Sequence, residues 1–296
     1  MSAPAASEGS GDDARRTPIA ARIALGAQLR RLRQAADISP ERAAWVLRAS
    51  QSKISRLETG QARFKARDVT DLLEFYGVTD QETVARLVGL ADQANERGWW
   101  EQFGDILPGW FEPYVGLEAS ASLIRTFDLQ FVNGLFQTRD YARAVTLAGK
   151  RGIPADEVDR RVHIRMTRQQ ILLGDHAPRI WSVIDEAALH RLVGGRQVMR
   201  DQLRHLIASA DLPAVTLQVA PFSIGAHDGA SGAFTILRFA DADLADIVYI
   251  EQLTGALYLD KPAEIDHYLD VVNRLSATAL GPDNSLSFLA GVLREI

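Results

Sequence analysis

Ser50-Gln-Ser-Lys-Ile-Ser-Arg-Leu-Glu-Thr-Gly60 is the stretch whose side chains are best suited to reading another molecule. On a helix, Ile54 and Leu57 project to one side, while Ser52, Ser55, Arg56 and Thr59 project to the other, flanked by Gln51 and Lys53. That outer face holds hydrogen-bond donors and acceptors and no aliphatic residue. Gln and Arg are the side chains that reach adenine and guanine edges with paired hydrogen bonds. Ser50 and Gln51 stand where the free N–H groups of a helix start favour a phosphate. Phosphate contacts are therefore expected from Ser50 and from the flanking Arg42, Arg48, Arg63, Lys65 and Arg67.

A reading helix must be held at a steep angle to a partner helix before it can enter a groove. Ser39-Pro40 starts that partner with a hydroxyl cap and a proline at the first helical position. Ala43, Ala44 and Leu47 give it an apolar side, Arg48–Ser50 the turn, and Gly60 ends the second helix. Leu25, Leu29 and Leu32 recur at helical spacing before the pair; Leu72, Leu73 and Tyr76, then Val84, Leu87, Val88 and Ala91, do so after it. An all-α domain is expected over residues 19–97, broken at Asp37–Ser39, Arg48–Ser50, Gly60–Lys65 and Gly77–Asp80. Residues 1–18, made of Ala, Ser, Gly, Pro and acids, read as a disordered arm.

Charge separates this region from the rest. The chain of 296 residues carries a net −5, which taken whole argues against a polyanionic partner. Residues 14–67, however, hold 13 Lys/Arg against three acids (Asp37, Glu41 and Glu58), a local +10, which leaves −15 on the remainder. Such asymmetry points to a polyanion-binding module on an acidic body. Cysteine is absent, which excludes disulfides, thiolate zinc sites and a Cys nucleophile and fits a reducing cytoplasm. No apolar run approaches the ~18 residues of a membrane span, and the opening MSAPAASEGSGDDARR lacks the apolar core of a secretory signal.

Beyond Gly98 the pattern changes. The window 99–114 holds six of the 22 aromatics: Trp99, Trp100, Phe103, Trp110, Phe111 and Tyr114. Helices are expected near 116–128, 138–149, 155–173, 185–193 and 196–209, and over roughly Pro262–Leu280. Strand-like runs occur at Arg179–Ile184, Ala214–Val219, Ala233–Phe239 and Asp246–Glu251. With no steady βαβ rhythm, residues 98–296 read as a larger α+β domain rather than a doubly wound one.

The motifs LRRLR at 29–33, ISPERAA at 38–44 and above all SQSKISRLETG at 50–60 make residues 23–77 resemble the xenobiotic-response-element type of helix-turn-helix, the lambda/P22-repressor-like group. The resemblance implies base reading by Gln51, Ser52 and Lys53, with Arg56 one turn later, and a buried pairing of Arg33 with Glu58. Two departures stand out: Pro40 replaces a frequent phosphate-touching Gln, and Arg48 replaces the usual turn glycine, which calls for a left-handed or rearranged turn. GWWEQF at 98–103, Pro113–Glu118, FVNGLFQTRDYARA at 131–144, RMTRQQIL at 165–172 and VIDEAALHRLVGG at 183–195 together resemble the C-terminal domain of an actinobacterial regulator family, the antitoxin-like, WhiJ-like group. QLRHLI at 202–207, VTLQVAPF at 215–222, GAFTILRF at 232–239 and IVYIE at 247–251 extend the likeness. Asn133-Gly-Leu-Phe-Gln-Thr138 departs mildly from that group's Pro-Gly-Leu-Leu-Gln-Thr.

Together these readings expect a cytoplasmic transcriptional regulator, repressor-like and homodimeric, on a palindromic operator in double-stranded DNA. The acidic domain is expected to sense a metabolite or a small protein encoded nearby. The alternatives are an antitoxin-like protein that neutralises such a partner and autoregulates its operon, and a small-molecule receptor. Within that domain Trp99, Trp100, Trp110 and Phe111 read as a hydrophobic joint or a ligand or partner surface. Arg165, Arg168 and Gln169 share one helix and suit an acidic partner or an anion. No enzyme, cofactor or metal is expected. Asp185, Glu186 and His190 lack the His-Glu-x-x-His order, His227-Asp228 falls in a Gly-rich turn, and no nucleophile elbow or phosphate loop appears.

Overall fold

The computed structural model describes residues 16–150 and 152–296. It divides into two compact units, Met1–Glu101 with Phe239–Ala245, and Gln102–Arg238 with Asp246–Ile296. Of the arm expected over residues 1–18, residues 1–15 lie outside the described residues, and Pro18 already opens a helix.

The first unit is helical: α1 (Pro18–Ala35), α2 (Pro40–Val46), α3 (Gln51–Glu58), α4 (Ala66–Phe75) and α5 (Gln81–Asn95). The expected Ser39 and Ser50 caps start α2 and α3, and Asp80, not singled out as a cap in the sequence, starts α5. Ser39 Oγ accepts from Arg42 N at 3.3 Å, Ser50 Oγ from Lys53 N at 3.2 Å and Asp80 Oδ2 from Thr83 N at 2.9 Å. Ala20, Ala21, Ala24, Leu25 and Leu29 turn the buried side of α1 onto Ile54, Leu57, Val69, Leu73 and Leu87. Gly26 permits the tightest approach, since a Cβ there would sit 2.5 Å from the Leu57 carbonyl oxygen. The same core includes Leu244, which the sequence placed among the strands of the larger domain; it is 6 % exposed. Asp241 and Asp243 of that segment bond Arg16, Gln28 and Arg31.

The second unit begins, after the aromatic window, with α6 (Glu112–Ser120) and then β1 (Leu123–Asp128). After β1 come α7 (Arg139–Gly149), α8 (Ala155–Arg168), β2 (Arg179–Asp185), α9 (Glu186–His190) and α10 (Arg196–Ser209). The chain ends with β3 (Val215–Ala220), β4 (Phe234–Arg238), β5 (Ile247–Gln252), β6 (Gly255–Leu259), α11 (Pro262–Thr278) and α12 (Pro282–Glu295). The strands form one sheet in the order β3-β2-β1-β4-β5-β6. β1, β2 and β3 run parallel, and the β1–β4, β4–β5 and β5–β6 pairs are antiparallel. The overall reading of a helical unit followed by a mixed helix-and-sheet domain therefore holds.

Four local readings are corrected. The helix expected near 116–128 stops at Ser120, and its second half is the central strand β1, paired on both sides. Ile124, Thr126 and Phe127 favour a strand, and the two neighbours overrule the helical spacing. The helix expected to reach residue 173 ends at Arg168 and tightens into a 3-10 turn, Gln169–Leu172. β6 escaped notice because Gly255-Ala-Leu-Tyr-Leu259 is too short to show alternation. The helix expected over roughly Pro262–Leu280 is α11, but it is not the last: Gly281-Pro282 restarts the chain as α12, which the sequence reading did not place.

Candidate functional site

The two serine-capped helix starts of α2 and α3 and the turn between them fix how α3 is shown. Arg48 takes φ +49°, a left-handed conformation that costs about 1–2 kcal/mol in a residue with a Cβ. The turn returns the chain through Ala49 N, which donates to Ala44 O at 2.9 Å. Gly60, at φ +68°, ends the helix with its Cα against Ile23, where a Cβ would meet Ile23 at 2.7 Å. Ile54 and Leu57, each 1 % exposed, anchor the inner side of α3.

The outer side of α3 presents Gln51, Ser52, Ser55, Arg56 and Thr59 to solvent. Gln51, Ser52 and Arg56 make no side-chain hydrogen bond among the described residues. Thr59 is turned back, its hydroxyl donating to Ser55 O at 2.8 Å. Lys53 is half-buried and donates to Asp68 Oδ2 at 2.9 Å, so it reaches a base only by leaving that partner. Arg48 and Lys65 are exposed and carry no ion pair among the described residues. Arg42 lies 5.8 Å from the centre of the Phe75 ring, Arg63 donates to both oxygens of Glu101 at 3.1 Å, and Arg67 stands 3.7 Å from Asp71. Trp45, 79 % exposed beside them on α2, was not singled out in the sequence, although Ala43 and Ala44 face inward around it.

Arg33 and Glu58 hold this arrangement from beneath. Arg33 Nε and Nη2 donate to the two Glu58 oxygens at 2.6 and 2.9 Å, and Nη1 donates to Ile38 O at 2.7 Å. The Glu58 bonds raise the Arg33 pKa above its ordinary value. One fork thereby ties the end of α1, the start of α2 and the end of α3.

In the second unit the motifs at 131–144 and 165–172 meet. Gln169 Nε2 donates to Gly134 O and to Gln137 O, both at 2.8 Å. Arg168 is buried, and its Nε and Nη2 grip the two oxygens of buried Glu118 at 2.8 Å. Burial alone would lower the Arg168 pKa; Glu118 outweighs it and holds the group above its ordinary value. The guanidinium also lies 5.0 Å from the ring centre of Phe111 and 5.3 Å from that of Tyr114. Tyr114 packs tilted against Tyr249, ring centres 4.1 Å apart, and Tyr249 meets Tyr258 edge-on at 5.2 Å. Trp110 contacts Phe111 edge-on in this unit, whereas Trp99 and Trp100 meet edge-on at 5.9 Å in the first. Glu118, Gln137 and Tyr249 were missed as individuals, though they lie in or beside the motifs.

The scattered acids and histidines have structural work. Asp185 caps α9 through Ala187 N at 2.8 Å and stands 3.7 Å from His227. Glu186 accepts from Phe222 N at 2.7 Å and stands 3.3 Å from His190, and Asp228 accepts from Arg274 at 2.6 Å. Among the described residues no group of three or more His, Cys, Asp or Glu is arranged to hold a metal, and no helix is long and apolar enough to cross a membrane.

Comparison with family models gives two matches. Residues 24–87 match a helix-turn-helix domain, and residues 111–291 match a domain of unknown function, DUF5753. Neither a search of curated proteins nor one of solved structures returns a match.

Proposed function

The chain belongs to the DUF5753 family and carries a helix-turn-helix domain ahead of the family's own, and from that premise we propose that it is a sequence-specific DNA-binding transcriptional regulator. The observation that carries the reading is the outer face of α3: Gln51, Ser52 and Arg56 exposed and unengaged over a rigid Ile54–Leu57 anchor. α3 is the helix that enters the major groove, its N-terminal residues reading base edges while α2 crosses the backbone. Arg48, Lys65, Arg42 and the Ser50 end of α3 meet phosphates, with Arg63, Lys53 and Arg67 exchanging their carboxylates for the same purpose. A helix of eight residues reads few bases, so specificity comes from a homodimer on a palindrome with half-sites about 34 Å apart. Occupying such an operator gives a repressor of the xenobiotic-response-element type, acting in the cytoplasm.

The WhiJ-like C-terminal unit is the effector part of this reading. It senses a small ligand or protein partner by binding one state of the regulator better than another. It does so by binding rather than catalysis, since Asp185, Glu186 and Asp228 are each engaged in structural bonds. Footprinting and gel-shift titration of the purified chain on its own promoter region test the proposal. A protected palindrome bound at least about a thousandfold tighter than random DNA is expected; equal affinity for both would sink it.

A further inference from the structure

Arg165 is the odd cation of the second unit. It lies on α8 one turn before Arg168, and the two have opposite surroundings. Arg168 is sealed and fully forked onto Glu118. Among the described residues Arg165 has no carboxylate within ion-pair distance, and its one hydrogen bond runs from Nη1 to Gln137 Oε1 at 2.9 Å. Its Nε and Nη2 have no partner among the described residues, yet they are not shut off from solvent. The group is thus half-buried, with Nε and Nη2 still reached by solvent.

The groups that interact with it hold further bonds of their own. Gln137 is buried and oriented by Nε2 donating to Val132 O at 2.6 Å, which leaves Oε1 for Arg165. Arg161 on the same helix is paired with Glu157 at 2.8 Å. The Tyr141 hydroxyl, fully buried, accepts from Val132 N at 3.2 Å. Glu251 on β5 acts on Arg165 only from beyond ion-pair distance and accepts from Tyr249 Oη at 3.2 Å. Burial first, and Arg168 second, bring the Arg165 pKa down to about 10, so at neutral pH the group stays charged in surroundings that disfavour it. A buried charge without its counter-charge is costly unless something supplies one.

We propose that Arg165, steered by Gln137, is the anchor of a binding site for a small-molecule oxyanion, a carboxylate or a phosphate, in the second unit. The free Nε–Nη2 edge of a guanidinium matches two oxygens of such a group in a planar fork. Gln169 holds the Gly134–Gln137 turn in place on one side, which keeps Gln137 set against Arg165. This deepens the effector reading of the second unit and rests on it for regulation, though not for binding.

The test uses the full-length chain. Melting temperature and calorimetry are followed against inorganic phosphate and against acetate, with chloride at matched ionic strength as the control. Wild type is expected to respond to at least one oxyanion, and the responding arm names the source. Arg165→Met, similar in length and uncharged, should bind it about ten- to a hundredfold more weakly, with Arg165→Lys in between. No response in wild type, or an equal response in Arg165→Met, overturns the site. A second arm measures operator affinity with and without the responding anion. Binding that leaves operator affinity unchanged keeps the site and removes its effector role, whereas absence of any DNA preference removes only the DNA-binding reading.

Discussion

Three arginines show how position decides what one side chain does. Arg33 is forked onto Glu58 and fixes helices, Arg56 stands free over α3, and Arg48 accepts a left-handed backbone to sit at the turn. In the proposed complex with DNA, removing Gln51 or Arg56 would delete a base contact without touching the Ile54–Leu57 anchor. Gln51→Ala and Arg56→Ala should each weaken operator binding by about 1–3 kcal/mol and random-DNA binding much less, as measured by parallel gel-shift titrations. Arg48→Gly should act in two directions. Unfolding should show a gain of up to about 1 kcal/mol from the relieved left-handed residue, while the slope of log K against log salt should fall by about one as a phosphate contact is lost. Much at this scale was legible. The alternation of Ile54 and Leu57 with polar residues fixes the face of α3, and the missing glycine at position 48 foretells the unusual φ. The counter-charges were not legible, because Asp68 and Glu101 reach Lys53 and Arg63 across 15 and 38 residues and no local pattern records them.

Secondary elements show where local patterns lose to neighbours. α2 and α3 were readable from Ser-Pro, Ser and Gly signals that act within one turn. β1 was not, because its strand character comes from pairing with β2 and β4, whose residues lie far along the chain. The C-terminal end of β1 offers a test of its own. Asp128 Oδ2 accepts from Thr126 Oγ1 at 2.7 Å and from Ser182 Oγ at 3.2 Å, and Oδ1 accepts from Asn133 at 3.3 Å. Burial outweighs these bonds and pushes its pKa up to about 6. A carboxyl that holds its proton more tightly when folded gives stability that is complete below its unfolded pKa of about 4. That contribution is lost as pH rises to about 6. Asp128→Asn should therefore gain on wild type in chemical unfolding between pH 4 and 6 and keep a constant lead above. A lead that does not change with pH would mean that Asp128 is ionised throughout.

At the scale of the molecule, a net of −5 conceals the +10 of residues 14–67, and that division of charge falls on the helical unit, its described residues running from α1 into α4. What it did not reveal is that this unit is built from two separate stretches of chain. Phe239–Ala245 leaves the sheet after β4, places Leu244 in the helical core and Asp241 and Asp243 on α1, then returns to β5. A seven-residue connection between two strands carries no signal of such a role. Leu244→Ala should cost about 2–5 kcal/mol in the helical unit, seen as earlier loss of protection in α1 and α5 by hydrogen exchange while the β1–β2 pairing keeps its own. The same connection bears on how genes for such proteins can be recombined. A DNA-binding cassette cut after residue 101 leaves behind the leucine that completes it. Swapping the helical part between relatives therefore requires moving the short β4–β5 connection with it, as a second, distant fragment of the same inheritance.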